Sequence, residues 1–252
     1  MAAGSLLKIL AALRTRYGKP KAHAAGHDPL AILVWEMVAY LGGGDRRDSA
    51  FKSLRTQIGL APQALLDAPL EDLTELCRLG GPMHPLHRAK CVQICAAITI
   101  EDFGGDLSRV LDWDYATAVK ALRKFPSVAE PGADRILMLC GSHAVLGMES
   151  NALRVLLRLG YGVEDKNYTK AYRSARDAAM AVLPKKAEVL TEASQLLRRH
   201  GKETCKTTAP RCEECPVTAA CAYFNARRGP KPSSGRSPRT RPRAPSTRKS
   251  PE

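Results

Sequence analysis

The chain has 252 residues, with 39 Lys and Arg against 25 Asp and Glu, a net charge of +14 and 44% apolar residues. This length suffices for one large domain or two small ones with a buried core, and no apolar run is long enough for a membrane-spanning helix. The positive charge favours a polyanionic partner, with nucleic acid as the first candidate, and 5% aromatic residues argue against a β-sandwich or barrel.

Apolar residues recur at helical spacing through the body of the chain. Residues 6–17 predict an amphipathic first helix that packs into the fold. Asp28 followed by Pro29 predicts the start of a second helix, because Asp caps first-turn N–H groups and Pro needs no donor there. Further helices are predicted to start near Asp45, Pro69, Leu86, Asp106, Asp114, Pro126, Ser150, Tyr168 and Lys185. Since no strand with period-2 alternation occurs, the fold class is predicted to be all-α.

The C-terminal residues 225–252 carry nine Lys and Arg and one acid, a net +8, which leaves +6 on residues 1–224. Almost nothing apolar follows Phe224, so the segment cannot offset its chain entropy by burial. We predict a disordered basic tail, which is either a non-specific phosphate tether or an extension without a task.

Eight cysteines fall into two groups. Cys77, Cys91, Cys95 and Cys140 lie in apolar helical surroundings and are expected to be small buried thiols. The other four follow the spacing C-x6-C-x2-C-x5-C and are predicted to be metal ligands: Cys205, Cys212, Cys215 and Cys221. Four thiolates suit either a structural zinc or a [4Fe–4S] cluster, and the spacing does not choose between them. Disulfides are disfavoured because no secretory signal precedes the body, which favours a reducing, cytoplasmic compartment.

Three segments together resemble one family. The cysteine spacing is similar to the iron–sulfur loop of the endonuclease III and MutY DNA glycosylases, in the helix-hairpin-helix-GPD superfamily. Residues 125–136, FPSVAEPGADRI, resemble the family hairpin L-P-G-V-G-x-x-T-A. Residues 147–155, GMESNALRV, resemble the family segment V-D-T-H-x-x-R-V. The three segments come in the family's order and span about residues 28–224, so the chain is identified as a divergent member.

The resemblance implies two helical lobes that flank a DNA-binding cleft. Residues 29–142 would form a six-helix barrel that ends in the helix-hairpin-helix. Residues 143–224 would form the cluster lobe with a [4Fe–4S] cofactor, and the helix in residues 1–28 would pack on it. The implied partner is double-stranded DNA, and no membrane partner is implied. The protein is expected to act as a monomer in the cytoplasm, associated with the nucleoid.

The resemblance also implies which residues would contact DNA. The hairpin would grip a phosphate through backbone N–H groups at Ser127, Val128, Ala129 and Gly132, although Ser127 and Ala129 replace family glycines. The basic residues around the cluster loop would meet further phosphates, with Arg211 as the main candidate: Arg198, Arg199, Lys202, Lys206 and Arg211. Leu41 or Tyr40 would serve as an apolar wedge, or more simply as core residues.

Two departures bear on the chemistry. The lyase-active members use a hairpin Lys as nucleophile, and Pro131 occupies that register, so Schiff-base chemistry through this position is excluded. Glu149 stands at the family's aspartate and is the predicted catalytic carboxylate, with a helix-capping carboxylate as the alternative. We therefore predict a monofunctional DNA glycosylase. One alternative is a catalytically degenerate DNA-binding protein on the same scaffold. The other is a helical protein-interaction module that a metal site stabilises and that has no DNA role.

Overall fold

The computed structural model describes residues 4–39 and 44–227, and every regular element within these ranges is helical. This confirms the all-α prediction. The α-helices are α1 (Gly4–Tyr17), α2 (Pro29–Met37), α3 (Gly44–Gln57), α4 (Pro62–Asp67), α5 (Leu70–Leu79), α6 (Pro85–Phe103), α7 (Tyr115–Leu122), α8 (Glu130–Cys140), α9 (Ser150–Leu159), α10 (Tyr168–Met180), α11 (Ala187–Glu203) and α12 (Ala222–Arg227). Short 3₁₀ turns cover Leu107–Asp112, Cys212–Glu214 and Thr218–Ala220.

The predicted helix starts agree with the capping chemistry. The Asp28 carboxylate accepts a hydrogen bond from the Ala31 N–H at 2.6 Å, with Pro29 as the first residue of α2. Asp114 caps α7 through the Thr117 N–H at 3.1 Å. Asp106 caps a six-residue 3₁₀ helix through the Ser108 N–H at 2.9 Å, where the sequence predicts a short helix.

Helices α2 to α8 pack around one apolar core. The long helix α6 lies against α2, α4 and α5, and α8 lies against α2 and α7. Leu33, Leu54, Val92 and Leu137 are buried in this core. Cys77, Cys91 and Cys95 are also buried, as predicted, whereas Cys140 at the end of α8 is half-buried.

The terminal helices pack together on the other side of α8. Helix α11 runs along α9 and contacts α1 and α8, so α1 joins the C-terminal helices. The Tyr17 hydroxyl forms hydrogen bonds with His200 Nδ1 at 2.9 Å and Thr204 Oγ1 at 2.8 Å, which ties α1 to the end of α11. Among the described residues, no helix combines the length and apolar character that a bilayer crossing requires.

Two sequence predictions meet the limits of the described ranges. Leu41 and Tyr40, the predicted wedge, lie outside them, and so does most of the predicted tail. Residues 225–227, placed in the tail by sequence, belong to α12.

Candidate active site and cysteine centre

A tight hairpin joins α7 to α8 at residues 123–129. Its turn is closed by a hydrogen bond from the Val128 N–H to the Phe125 carbonyl at 3.2 Å. Within the described part of the chain, the N–H groups of Ser127 and Ala129 form no hydrogen bond. A small exposed cradle of donors of this kind suits a phosphate oxygen.

Ser127 adopts the left-handed backbone conformation that favours glycine, with φ of 61°. Such a conformation costs a non-glycine residue about 1–2 kcal/mol, so the surrounding packing must hold it. The hairpin therefore keeps a turn shape suited to glycine although the sequence has lost the glycine. Pro131 is the second residue of α8, where no N–H donor is needed.

Glu149 is the N-cap of α9, and both carboxylate oxygens are engaged. Oε1 accepts the Ala152 N–H at 2.9 Å, and Oε2 accepts Asn151 Nδ2 at 2.6 Å. Arg154 Nη2 in turn donates to Asn151 Oδ1 at 2.8 Å and so orients the amide. The carboxylate is half-buried and rigidly held, and each oxygen keeps acceptor capacity for another partner.

Gly147 brings Glu149 next to the hairpin helix. A Cβ at this glycine would lie 2.4 Å from the Cα and N atoms of Arg135 in α8, a distance that real Cβ atoms do not reach. The Gly147 carbonyl also accepts a hydrogen bond from Ser194 Oγ of α11 at 2.6 Å. The segment before Glu149 is therefore clamped between α8 and α11.

All four cysteines of the spaced motif line one cavity, together with apolar side chains of α9 and the C-terminal loop. Arg158 Nη1 donates to Cys205 Sγ at 3.3 Å, and Arg154 Nε donates to the Cys205 carbonyl at 3.0 Å. Nowhere in the described ranges do three or more His, Cys, Asp or Glu approach closely enough to hold a single metal ion. The thiols are thus gathered around one space, but more widely than ligands of one ion.

The sequence was compared with protein families and curated proteins. No family model matches the chain. Endonuclease III of Thermotoga maritima is 26% identical over 200 residues, which cover 79% of this chain and 85% of that protein. Thymine-DNA glycosylase of Aeropyrum pernix is 26% identical over 166 residues, covering 65% of this chain and 69% of that protein. The chain is a divergent endonuclease III-like protein.

Solved structures agree with this fold. A trapped covalent intermediate of endonuclease III with DNA matches this endonuclease III-like chain with a TM-score of 0.68 at 20% identity, over 90% of this chain and 99% of that one. A thermostable thymine-DNA glycosylase matches with a TM-score of 0.69 at 19% identity, over 88% and 95% of the two chains. The resemblance predicted from the sequence is thereby confirmed.

The endonuclease III-like protein has an ion cluster beside Glu149 that sequence reasoning missed. Glu36 of α2 accepts from Arg47 Nη1 at 3.2 Å and from Arg135 Nη2. Burial raises the pKa of the Glu36 carboxyl, but Arg135, Arg47 and Arg198 outweigh it and hold that pKa below its ordinary value. The available signal was Glu36 itself, a lone acid inside the apolar run of α2.

A cavity of about 500 Å³ opens between the hairpin and the ion cluster. Ser127, Val128 and Gly132 of the hairpin line it, as do Glu36 and Arg135. His84, which also lines it, has a left-handed φ of 48°. No sequence pattern marks such strain.

The basic side chains predicted around the cysteine loop point in different directions and do not form one surface. Arg211 is exposed, 3.9 Å from Glu214. Arg199 turns towards α1, where it donates to the Tyr17 carbonyl at 2.7 Å. Arg198 turns the other way, towards the Glu149 side of α11, and is half-buried.

Proposed function

We propose that this chain is a DNA repair glycosylase that binds duplex DNA and hydrolyses the N-glycosidic bond of a damaged or mispaired base. The observation that carries the proposal is the contact at Gly147, which holds the backbone two residues before Glu149 against the hairpin helix α8. A phosphate-gripping turn and an ionisable group for the sugar thus belong to one packed unit. The endonuclease III-like relatives support the same activity.

Glu149 is the proposed catalytic carboxylate. A base in a duplex must be turned out of the stack before its glycosidic bond is accessible. As that bond breaks, the sugar gains positive charge, which a carboxylate stabilises, and the same group orients the attacking water. Asn151 and the Ala152 N–H fix the direction of the Glu149 oxygens, so the longer Glu arm does not leave the charge loosely placed.

Pro131 makes strand cleavage through the hairpin unavailable. A Schiff base requires an amine that attacks the sugar carbon, and proline at the second position of α8 has no side-chain nucleophile. We therefore propose a monofunctional enzyme, which leaves an abasic site. The N–H groups of Ser127 and Ala129 are the proposed phosphate grip. Those of Val128 and Gly132, which the sequence predicted to join them, are bonded to the Phe125 carbonyl at 3.2 Å and the Ala129 carbonyl at 2.9 Å. Arg211 is a proposed second phosphate contact.

The proposed cofactor is a [4Fe–4S] cluster held by Cys205, Cys212, Cys215 and Cys221. The donor set fits, because four thiols line one cavity and a cluster takes one thiolate for each iron, so its ligands stand further apart than those of one zinc ion. When bound, the cluster would cross-link residues 205–221, the loop that follows α11, within itself. We further propose that the protein acts as a monomer in a reducing compartment.

The activity is tested by base release from a panel of duplexes that carry damaged or mispaired bases. Glu149→Gln is expected to lower the single-turnover rate by roughly 10²–10⁴-fold, since it removes the ionised group but not the shape. The wild type should release base without strand cleavage and without trapping by borohydride. Glu164→Gln, at an exposed glutamate, is the matched control.

Two results would contradict the activity. Equal rates for Glu149→Gln and wild type would remove Glu149 from catalysis. No release from the whole panel by folded, cluster-loaded protein would instead favour the alternative of a DNA-binding protein on the same scaffold.

The cofactor has its own test. Purified protein should absorb broadly near 400 nm, a property that the family resemblance leads us to expect. Cys215→Ser should abolish this absorption and unfold the cysteine loop, because metal binding contributes folding free energy in such sites. Cys140→Ser, outside the motif, should change neither. A colourless protein with one bound zinc would overturn the iron assignment.

A further inference from the structure

One face of α11 runs along the segment that carries Glu149. At one end, Ser194 Oγ donates to the Gly147 carbonyl at 2.6 Å. At the other end, a Cβ at Gly201 would lie 2.5 Å from the Asn151 carbonyl oxygen. Arg198 lies between these two contacts on the same face, since residues four apart on a helix are neighbours. Its side chain is therefore opposite Glu149.

Arg198 has no anionic partner in this position. Its Nε is buried without a hydrogen bond, and no ion pair forms with any described residue. Residues 40–43, which lie outside the described ranges, are Tyr-Leu-Gly-Gly and bring no carboxylate. Leaving a buried guanidinium nitrogen without an acceptor is costly, so half-buried Arg198 is suited to an anion that the described residues do not supply.

The carboxylates nearby already accept hydrogen bonds from other groups. Glu36 is shared by Arg47 and Arg135, Asp48 accepts from Trp35 Nε1 at 2.6 Å, and both oxygens of Glu149 are bonded at the start of α9. The cations outnumber them: Arg47, Arg135, Arg198 and Lys202. Burial, followed by the repulsion of Arg135, lowers the pKa of Arg198. An additional anion would relieve this repulsion.

We propose that Arg198, with Lys202 one turn further along α11, binds the DNA phosphodiester next to the nucleotide whose sugar faces Glu149. A guanidinium matches two phosphate oxygens at once, and a lysine adds a second positive charge. This site is separate from the hairpin grip, and it rests on the proposed function because it assumes a flipped nucleotide at Glu149. Arg198 is a phosphate-binding residue in this proposal, and Glu149 remains the catalytic one.

The experiment measures affinity by fluorescence anisotropy for a duplex with a non-cleavable abasic analogue and for the undamaged duplex, over a series of salt concentrations. Arg198→Met removes the charge and keeps most of the volume. It is expected to weaken binding of the abasic duplex about tenfold and to reduce the salt slope by about 0.9. Arg55→Met is the control, since it deletes the same charge from an exposed position on α3.

A neutral methylphosphonate at each phosphate beside the abasic analogue locates the contact. At one of these positions the wild type and Arg198→Met should bind equally, because the partner of Arg198 is gone. If no position removes the difference, or if Arg198→Met binds like Arg55→Met on every duplex, the proposal is overturned and Arg198 only balances nearby carboxylates.

These failures are distinguishable from failure of the proposed function. If only the Arg198 proposal fails, the wild type still prefers the abasic duplex and releases base. If the proposed function fails, the wild type shows neither property, and the Arg198 phosphate site is overturned as well.

Discussion

Two ion networks meet helix α8 at adjacent residues, and they differ in how completely they are satisfied. Asp134 is fully buried and accepts from the Tyr115 hydroxyl, the Tyr172 hydroxyl and Arg176 Nη1 at 2.7, 2.7 and 3.0 Å. Arg135, the next residue, belongs to the cluster around Glu36, where cations exceed available acceptors. The first network is closed by the chain alone, and the second has capacity for an outside anion.

The difference distinguishes polar groups of α8 that stabilise the fold from polar groups of α8 that face the proposed DNA site. The Asp134 network, which also reaches Glu130 through Arg176 at 2.9 Å, fastens α8 to α7 and α10. Every buried group in it has a partner, which is the usual condition for a stable interior. The unpartnered Nε atoms of Arg47 and Arg198 belong to the network around Glu36, and Arg198 also lies near Glu149. Because these guanidinium nitrogens lack hydrogen-bond acceptors, we expect DNA to bind on the Glu149 side.

The largest effect that would test this comparison is on stability. Asp134→Asn removes the buried negative charge and replaces one acceptor oxygen with an NH2 donor that faces the donors of this network, so the free energy of unfolding should fall by about 3–5 kcal/mol. Chemical denaturation measures this loss. Asp177→Asn is the matched control, because Asp177 contacts the same arginine from an exposed position. Base release per folded molecule should be unchanged in both variants, and a selective loss of rate in Asp134→Asn would place this network in the active site.

A smaller effect concerns how the ion network around Glu36, which we call the open ion network, stabilises the fold at acidic pH. The pKa of Glu36 is held below its ordinary value, so its contribution is present above the unfolded pKa of about 4.3 and is lost as pH falls through the folded value. Below pH 4.3, wild type should lose stability more steeply than Glu36→Gln, by up to about 1.4 kcal/mol per pH unit. Denaturation curves at a series of pH values measure the slopes, with Glu164→Gln as control. Parallel slopes for wild type and Glu36→Gln would show that the three arginines do not stabilise the ionised form.

The smallest effect is at the hairpin that leads into α8. Ser127→Gly relieves the left-handed strain at φ of 61° but adds freedom to the unfolded chain, so a net gain below about 1 kcal/mol is expected. Ser127→Ala keeps the strain and should match wild type. Thermal unfolding compares the three proteins, and a loss of stability in the glycine variant would mean that the serine side chain, rather than the packing of α8, holds the turn.

Local patterns in the sequence predicted much of this molecule. The caps at Asp28 and Asp114, the all-α class and the endonuclease III-like resemblance depend on neighbouring residues or fixed spacings, which a single sequence displays. The short helix α4 was missed, since six residues are too few to show a helical period.

The open ion network was beyond such reasoning. Glu36, Arg135 and Arg198 come from three helices that meet only in the folded chain. Sequence placed Arg198 and Arg199 in one basic group, but a helix turns by about 100° between neighbours, and this rotation points them in different directions.

The missing Cβ at Gly147 has a consequence for how a nucleotide is chosen. Because the backbone before Glu149 touches the backbone of α8, the span from the hairpin turn to the carboxylate is fixed by contact between main chains. In the proposed complex, this fixed span would select a nucleotide by its distance along the DNA from the phosphate held at the hairpin, before any feature of its base is read.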